Sequence, residues 1–214
     1  KPQRSTTFEA GVKGVGTSGL QYNAALFATR VKDELIPFDI PASGGRRYFR
    51  NAGRTSRRGA ELGVGIGFGP VELGGAYTYA NYRFVDFTVD TAHYAGNQIP
   101  GIPRQALQAT ATLRGSFATL VTETSLADRM FVNDANSESS PGYAIVNARI
   151  VSSVLSRGSG AELTLGAQNL FNTRYISSVS VNAAGGKFYE PGSQRSLYVG
   201  ISILGAARPK GATQ

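Results

Sequence analysis

The 214 residues contain no cysteine and no tryptophan, and histidine and methionine occur once each, as His93 and Met130. Without cysteine there is no disulfide framework, no thiol nucleophile and no thiolate metal cluster. A single imidazole leaves no histidine cluster for a metal and starves general acid–base chemistry of its commonest residue. No catalytic residue, metal-ligand set or cofactor motif is therefore assigned, and the chain reads as a non-enzyme. Long apolar runs are also missing. Nowhere do 18 apolar residues follow one another, which excludes a transmembrane helix. The opening Lys1-Pro2-Gln3-Arg4 has no methionine, and no apolar run follows a basic start, so no signal peptide is legible. The expectation is a piece of a longer protein. Acidic residues are scarce, 14 against 22 Lys and Arg, for a formal charge of +8. At 41% apolar the chain is too hydrophobic for a disordered polymer.

Glycine is abundant, at 27 residues, and tyrosine and phenylalanine contribute 10 and 11. Their arrangement repeats every second residue, and helical spacing is hard to find. Phe8, Ala10 and Val12 share one face and Glu9 and Lys13 the other. Tyr22, Ala24, Leu26 and Ala28 oppose Gln21, Asn23, Ala25 and Thr29. The same alternation runs through Leu62–Phe68, Leu73–Tyr79, Leu107–Leu113, Leu120–Leu126, Ala144–Ile150, Leu163–Ala167 and Leu197–Ile203. That gives nine expected strands and an all-β chain. A long stretch from Arg47 to Phe68 reads as continuous.

Connection lengths alternate as well. Short ones lie at Val15–Gly19, Gly69-Pro70, Gly115–Ala118 and Leu155–Gly160; long ones at Asp33–Arg46, Val85–Arg104, Asn133–Gly142 and Asn172–Gln194. Short turns at one end and long loops at the other are the asymmetry of transmembrane β-barrels. Several strands reach the roughly 9–11 residues that a tilted strand needs to cross a bilayer. A soluble β-sandwich also alternates, with its apolar face turned inward, and stays open at this point as a binding module. A porin-like diffusion channel is a further alternative.

Several residues invite a chemical reading. The glycines of Gly63-Val64-Gly65-Ile66-Gly67 recur every second residue, whereas a dinucleotide turn needs its third glycine three on, before a helix. They read as small residues along one strand face. Arg46, Arg47, Arg50, Arg54, Arg57 and Arg58 form the densest basic run. No nucleic-acid-binding module surrounds it, so no nucleic-acid partner is expected. On the barrel reading Arg46, Arg47 and Arg50 fall at or near the loop mouth, where they could attract an anion or pair with lipopolysaccharide phosphates, and Arg57 and Arg58 are expected further down, on the lumenal side. Tyr77, Tyr79 and Tyr82 suit an interfacial aromatic belt. His93, Tyr94 and Tyr189 lie in long loops and, with Arg46 and Arg47, are the candidate ligand contacts.

The last third carries a more specific pattern. Leu163-Thr164-Leu165-Gly166-Ala167-Gln168-Asn169-Leu170-Phe171-Asn172-Thr173-Arg174-Tyr175, followed by Tyr189-Glu190-Pro191-Gly192-Ser193-Gln194-Arg195-Ser196-Leu197, resembles the closing two strands of TonB-dependent outer-membrane receptors. Phe8–Gly14, Tyr48–Gly53 with Arg58–Leu62, and Ile99–Pro103 resemble further pieces in the family's order. The resemblance implies an antiparallel up-and-down barrel of 22 strands, with residues 1–204 as its last nine and 205–214 as a polar tail. It also implies a Gram-negative outer-membrane location among lipid and lipopolysaccharide. The expected role is energy-coupled uptake of a scarce ligand, with ferric siderophore leading on family frequency. TonB would be engaged through an N-terminal region absent from this sequence. The family usually ends on an aromatic residue, and here Ile203 and Leu204 run into the tail instead.

Overall fold

A computed structural model describes residues 2–39, 46–51, 53–152 and 161–203; the tail 205–214 lies outside them. The chain runs β1 (Arg4–Val15), β2 (Gln21–Lys32), a short pair β3 (Leu35–Asp39) and β4 (Arg47–Asn51), then β5 (Arg54–Phe68) and β6 (Val71–Asp86). A second short pair, β7 (Thr88–Val89) and β8 (Ala92–His93), precedes β9 (Gln105–Arg114) and β10 (Ala118–Ala127). The third pair is β11 (Met130–Phe131) and β12 (Ser139–Ser140), followed by β13 (Tyr143–Ser152) and β14 (Ala161–Gln168). The fourth is β15 (Ile176–Val179) and β16 (Tyr189–Pro191), before the closing β17 (Ser196–Ile203). No α-helix occurs among the described residues.

Nine strands form one antiparallel sheet in the order β1-β2-β5-β6-β9-β10-β13-β14-β17, so sheet order follows chain order. The described short turns gather at one end; the one expected at Leu155–Gly160 lies outside the described residues. Gly69, with φ of 56°, and Pro70 make a two-residue turn closed by the Phe68–Val71 pair, a geometry that wants positive φ at its first position. The four long loops gather at the other end, and each carries its own two-stranded ribbon. These ribbons were not legible as strands in the sequence, and one of them absorbs the start of the stretch read as continuous from Arg47. That stretch is interrupted at Gly53, whose carbonyl accepts from Asp33 N at 3.0 Å and closes the first loop at its base.

Register fixes the faces. Across the first four long strands, Ala10, Leu26, Ala60 and Tyr79 lie in one row, and Val12, Ala24, Leu62 and Tyr77 in the next. Continuing across, Leu107, Leu126 and Ala144 extend the second row. From Phe8, Ala28 and Ala60 down to the short turns, this face carries no charged side chain in any described strand. It is unpartnered: Phe8 is 74% exposed, Leu26 67% and Ile203 77%. The nine residues Ala60–Phe68, at about 3.3 Å each and a tilt of about 40°, rise about 23 Å, close to the apolar band of about 25 Å of a membrane barrel. The opposite face carries Glu9, Glu61, Glu72, Gln108, Glu123, Asn147 and Arg149. Two ion pairs bridge neighbouring strands there, Arg114–Glu72 at 2.8 Å and Arg149–Glu123 at 2.7 Å.

Glycine on the polar face makes room for rings. A Cβ on Gly166 would fall inside the ring of Tyr198, its partner across β14 and β17. A strand glycine covered by a neighbouring aromatic ring recovers packing that the missing side chain forfeits.

Burial is concentrated at the loop end. Val31, Thr55, Ala80 and Phe84 are buried on the polar face near the ends of β2, β5 and β6. Phe84 packs with Ile36 of the first loop and Phe87 and Ile99 of the second, flanked by Tyr82, Val89, Tyr94 and Ile102. The loops therefore close over the polar side of the sheet, and the protein's hydrophobic core sits beneath them.

Candidate functional site at the loop crown

The first loop is anchored by a carboxylate. Glu34, 5% exposed, accepts hydrogen bonds from Thr55 Oγ1 and from Arg57 Nη2. A buried carboxylate needs such a partner, because an unpaired charge there is costly. Arg57 in turn sits over the ring of Tyr82, 5.7 Å from its centroid, and Tyr82 meets Phe27 edge-on at 6.2 Å. Charge, ring and ring form a ladder down the polar wall under the loop.

The other three loops are stitched together by asparagine and its neighbours. Asn97 Nδ2 donates to the carbonyl of Asp134 at 2.9 Å. Asn136 receives Gln98 N at 2.7 Å and returns a bond to the Gln98 carbonyl at 2.9 Å. Asp134 N donates to Asn182 Oδ1 at 3.0 Å, and Asn182 Nδ2 donates to Asp134 Oδ2 at 3.1 Å. Every non-glycine residue with positive φ among those described is Asn or Asp: Asp33, Asp90, Asn136, Asn169, Asn172 and Asn182. These are the side chains that tolerate the left-handed region best. Asp134 is 3% exposed. Burial pushes its carboxyl above the usual carboxylate range, against the opposing pull of the Asn182 hydrogen bond and the Arg50 charge.

The five candidate contacts are distributed over three loops. Arg46 is exposed at the far end of the first ribbon, next to Arg47, which pairs with Asp39 in its register. His93 is exposed on the second ribbon, with Nδ1 3.0 Å from Thr88 Oγ1. Tyr94 is half-buried, its ring 5.6 Å from that of Phe87 in the apolar cluster. Tyr189, on the fourth ribbon, donates its hydroxyl to the Ser139 carbonyl at 3.1 Å and ties the fourth loop to the third.

Parity divides the basic run. Arg57 points to the polar face with Tyr82, whereas Arg58, one residue on, pairs with Ala28 and Asn81 on the apolar-side face. The same parity separates Tyr82 from Tyr77 and Tyr79, so the three do not share the one face that a belt would need. Tyr77 donates to Gln105 Oε1 at 2.8 Å, and Tyr79 receives Arg104 Nη2 at 3.4 Å. Glu34, Asp134, Asn136 and Asn182 were missed. The signal of the last three was faint, a set of Asn and Asp residues in loops, the composition of turn-formers generally.

The motif of the closing strands has a mechanical basis. Asn169 takes φ of 48° and its side chain receives Thr173 N at 2.8 Å while donating to the carbonyls of Thr173 and Ser193 at 2.8 and 3.0 Å. It pins both ends of the fourth loop. A Cβ on Gly192 would enter the ring of Tyr175, so glycine is required where that ring lies against the returning chain.

The family model described as TonB dependent receptor-like, beta-barrel matches residues 1–170. The chain belongs to the TonB-dependent receptor family. Its fold is similar to that of the siderophore receptor PiuA from Acinetobacter baumannii, with TM-score 0.74 at 22% identity, over 92% of this chain and 28% of that one. The ferric yersiniabactin uptake receptor FyuA from Yersinia pestis gives 0.74 at 19%, over 94% and 30%. The ferric-catecholate import receptor Fiu from K12 E. coli, in its closed form, gives 0.73 at 21%, over 95% and 28%. The chain thus spans less than a third of the length of these receptors. For a TonB-dependent receptor barrel the charge-free face is the outer one and the polar face lines the interior, so the loops close over the lumen.

Proposed function

We propose that this chain is the C-terminal, nine-stranded part of the barrel of an outer-membrane receptor in a Gram-negative cell, residues 1–204, which takes up a metal chelate, a ferric siderophore first among candidates. The observation that carries the reading is the pairing of a charge-free outer face of membrane height with four loops that close over the polar interior. Capture falls to the loops. Arg46 and Arg47 supply a positive mouth that draws an anionic chelate toward the barrel, and His93, Tyr94 and Tyr189 offer ring and hydroxyl contacts beside them. Passage falls to the polar wall, where Glu72–Arg114 and Glu123–Arg149 present paired charges to a hydrated cargo. Energy would come from TonB in the periplasm through the N-terminal region of the intact receptor, with membrane lipid and lipopolysaccharide around its outer face.

The test is uptake of radiolabelled iron on a panel of ferric siderophores by cells carrying the intact receptor, with and without TonB. Saturable uptake of one chelate that vanishes without TonB is the expected result. Uptake that persists without TonB and rises linearly with concentration would replace the receptor with a diffusion channel.

A further inference from the structure

The inner side of the crown is uneven in charge. Arg46 and Arg47 belong to the first loop, whereas the bases of the third and fourth loops surround a cavity of about 440 Å³ that no charged residue lines. Its size is within the range of about 300–1,000 Å³ usual for small-ligand sites. Parity places its lining on the polar face. Ser125 stands two residues on from Glu123 in β10, Asn147 two before Arg149 in β13, and Gln168 two on from Gly166, which faces Arg149, in β14. Tyr143 closes one side, and Tyr175 and Gln194 reach in from the two ends of the fourth loop.

The lining groups are held in place with hydrogen-bonding positions left open. Asn147 Oδ1 accepts from Asn169 N at 2.9 Å, and Gln168 Oε1 from Ser196 Oγ at 3.3 Å. Each bond orients a carboxamide and leaves its NH2 group for another partner. Ser125 Oγ, the Gln194 amide and the hydroxyls of Tyr143 and Tyr175 bond to no described residue. The Tyr143 and Tyr175 rings lie 5.2 Å apart at 51°, and Tyr175 is held against Gly192, where a Cβ would enter its ring. A site fixed in this way loses little freedom when a ligand arrives.

The chemistry of the lining selects among ligand classes. An anion would meet no cation here, and the Arg149–Glu123 pair one level down is neutralised within itself at 2.7 Å. An apolar group would leave the hydroxyls and carboxamides unpaired, which is costly. An extended peptide is read by an open strand edge, and β10, β13 and β14 are each paired on both sides. A sugar fits each part. Its neighbouring hydroxyls both donate and accept, matching serine, tyrosine and carboxamide groups, and its C–H face can lie on a tyrosine ring.

We infer that this cavity is a sugar-binding subsite, in which Ser125, Asn147, Gln168 and Gln194 hold the hydroxyls of a glycosyl arm against Tyr143 and Tyr175. The inference rests on the uptake reading above and narrows its cargo to a chelate that carries a neutral sugar, with the anionic part drawn to the first loop.

The experiment is glycoside binding by the intact receptor, purified in a detergent that has no sugar headgroup. Saturation-transfer NMR is run with the methyl glycosides of glucose, galactose, mannose and N-acetylglucosamine, and with a tetraserine peptide as the competing neutral arm. At least one glycoside should bind saturably, and at least tenfold more tightly than the peptide. Gln168→Leu/Gln194→Leu should weaken that binding at least tenfold, Ser125→Ala should weaken it severalfold, and the apolar-side variant Arg58→Gln should bind as wild type does. Heat-modifiable migration on gels confirms a folded barrel in each case. Absence of binding by all four glycosides, a preference for the peptide, or equal binding by the leucine and alanine variants would overturn the subsite. Iron uptake by cells carrying the receptor separates this from the larger claim. TonB-dependent uptake of a chelate by a receptor that binds no glycoside sinks only the sugar subsite, whereas a receptor that binds the glycoside and takes up no chelate keeps the subsite and sinks the reading beneath it.

Discussion

The sheet and the crown obey different rules. Between the short turns and the Tyr77–Tyr79 level, hardly any side chain is buried, and outward residues such as Leu62 and Leu165 leave about half of their surface, 47% and 48%, uncovered by protein. Order there comes from the strand ladder, in which backbone donors find the next strand, and, in the proposed outer-membrane setting, from a solvent that is itself apolar. In the crown the chain behaves as a small water-soluble domain, with a core at Phe84, Phe87, Ile36 and Ile99 and loop segments tied by side-chain hydrogen bonds. One polypeptide thus leaves its apolar side chains exposed along the band and buries them inside the crown. The contrast predicts that comparable substitutions act through different terms in the two places.

The largest effect is expected from Phe84→Ala. Truncating a fully buried phenylalanine costs about 3–5 kcal/mol, and here the loss falls on the crown. Hydrogen exchange of the intact receptor should show faster exchange in the first and second loops and unchanged protection in β9–β14. A loss shared equally by the distant strands would mean that crown and band unfold together, and the division would fail. Next comes Leu62→Arg on the outer face, expected to cost about 2–4 kcal/mol for a cation near the middle of a bilayer. Denaturant unfolding in lipid vesicles checks it. An arginine introduced at a water-facing crown position, Thr88→Arg, should be nearly silent. Third, Asn136→Ala removes both bonds to Gln98 and should cost about 1–2 kcal/mol, read as protease nicking of the third loop with the barrel intact.

The smallest effect is one of pH. Burial raises the Asp134 carboxyl in the closed crown relative to an open one. The closed state therefore holds the proton more tightly, and its stability is greatest at low pH and falls as pH climbs from the ordinary carboxylate value through the raised one. Exchange at Asn182 N, which donates to the Val132 carbonyl at 3.0 Å, should speed up over that interval after correction for intrinsic rates. Asp134→Asn should flatten the profile. A profile that rises in stability with pH would place the dominant charge elsewhere.

The band was legible in the sequence for a physical reason. A strand has a period of two, so Glu9 and Lys13 against Phe8 and Val12 already declare both faces, and the expected rows agree with the observed register. The crown was not legible because short ribbons such as Thr88–Val89 with Ala92–His93 are too brief to carry a period, and their pairing depends on what lies beneath them. The basic run misled for a related reason. Read as a cluster, Arg57 and Arg58 belong together; read by parity, they face opposite sides of the wall. The Asn169 motif was visible as a likeness, while its role as a staple needed coordinates.

Sheet order that follows chain order makes each hairpin a replaceable part, since a loop can be exchanged without disturbing any pairing below it. The asparagine stitches limit that freedom. The second, third and fourth loops share Asn97, Asn136 and Asn182 as common fasteners, so variants that retune recognition by swapping one of them must carry its partners along. The first loop meets the second through an apolar cluster, a contact tolerant of side-chain substitution. Diversification of this receptor should accordingly proceed at two tempos, rapid in the first loop and concerted in the remaining three.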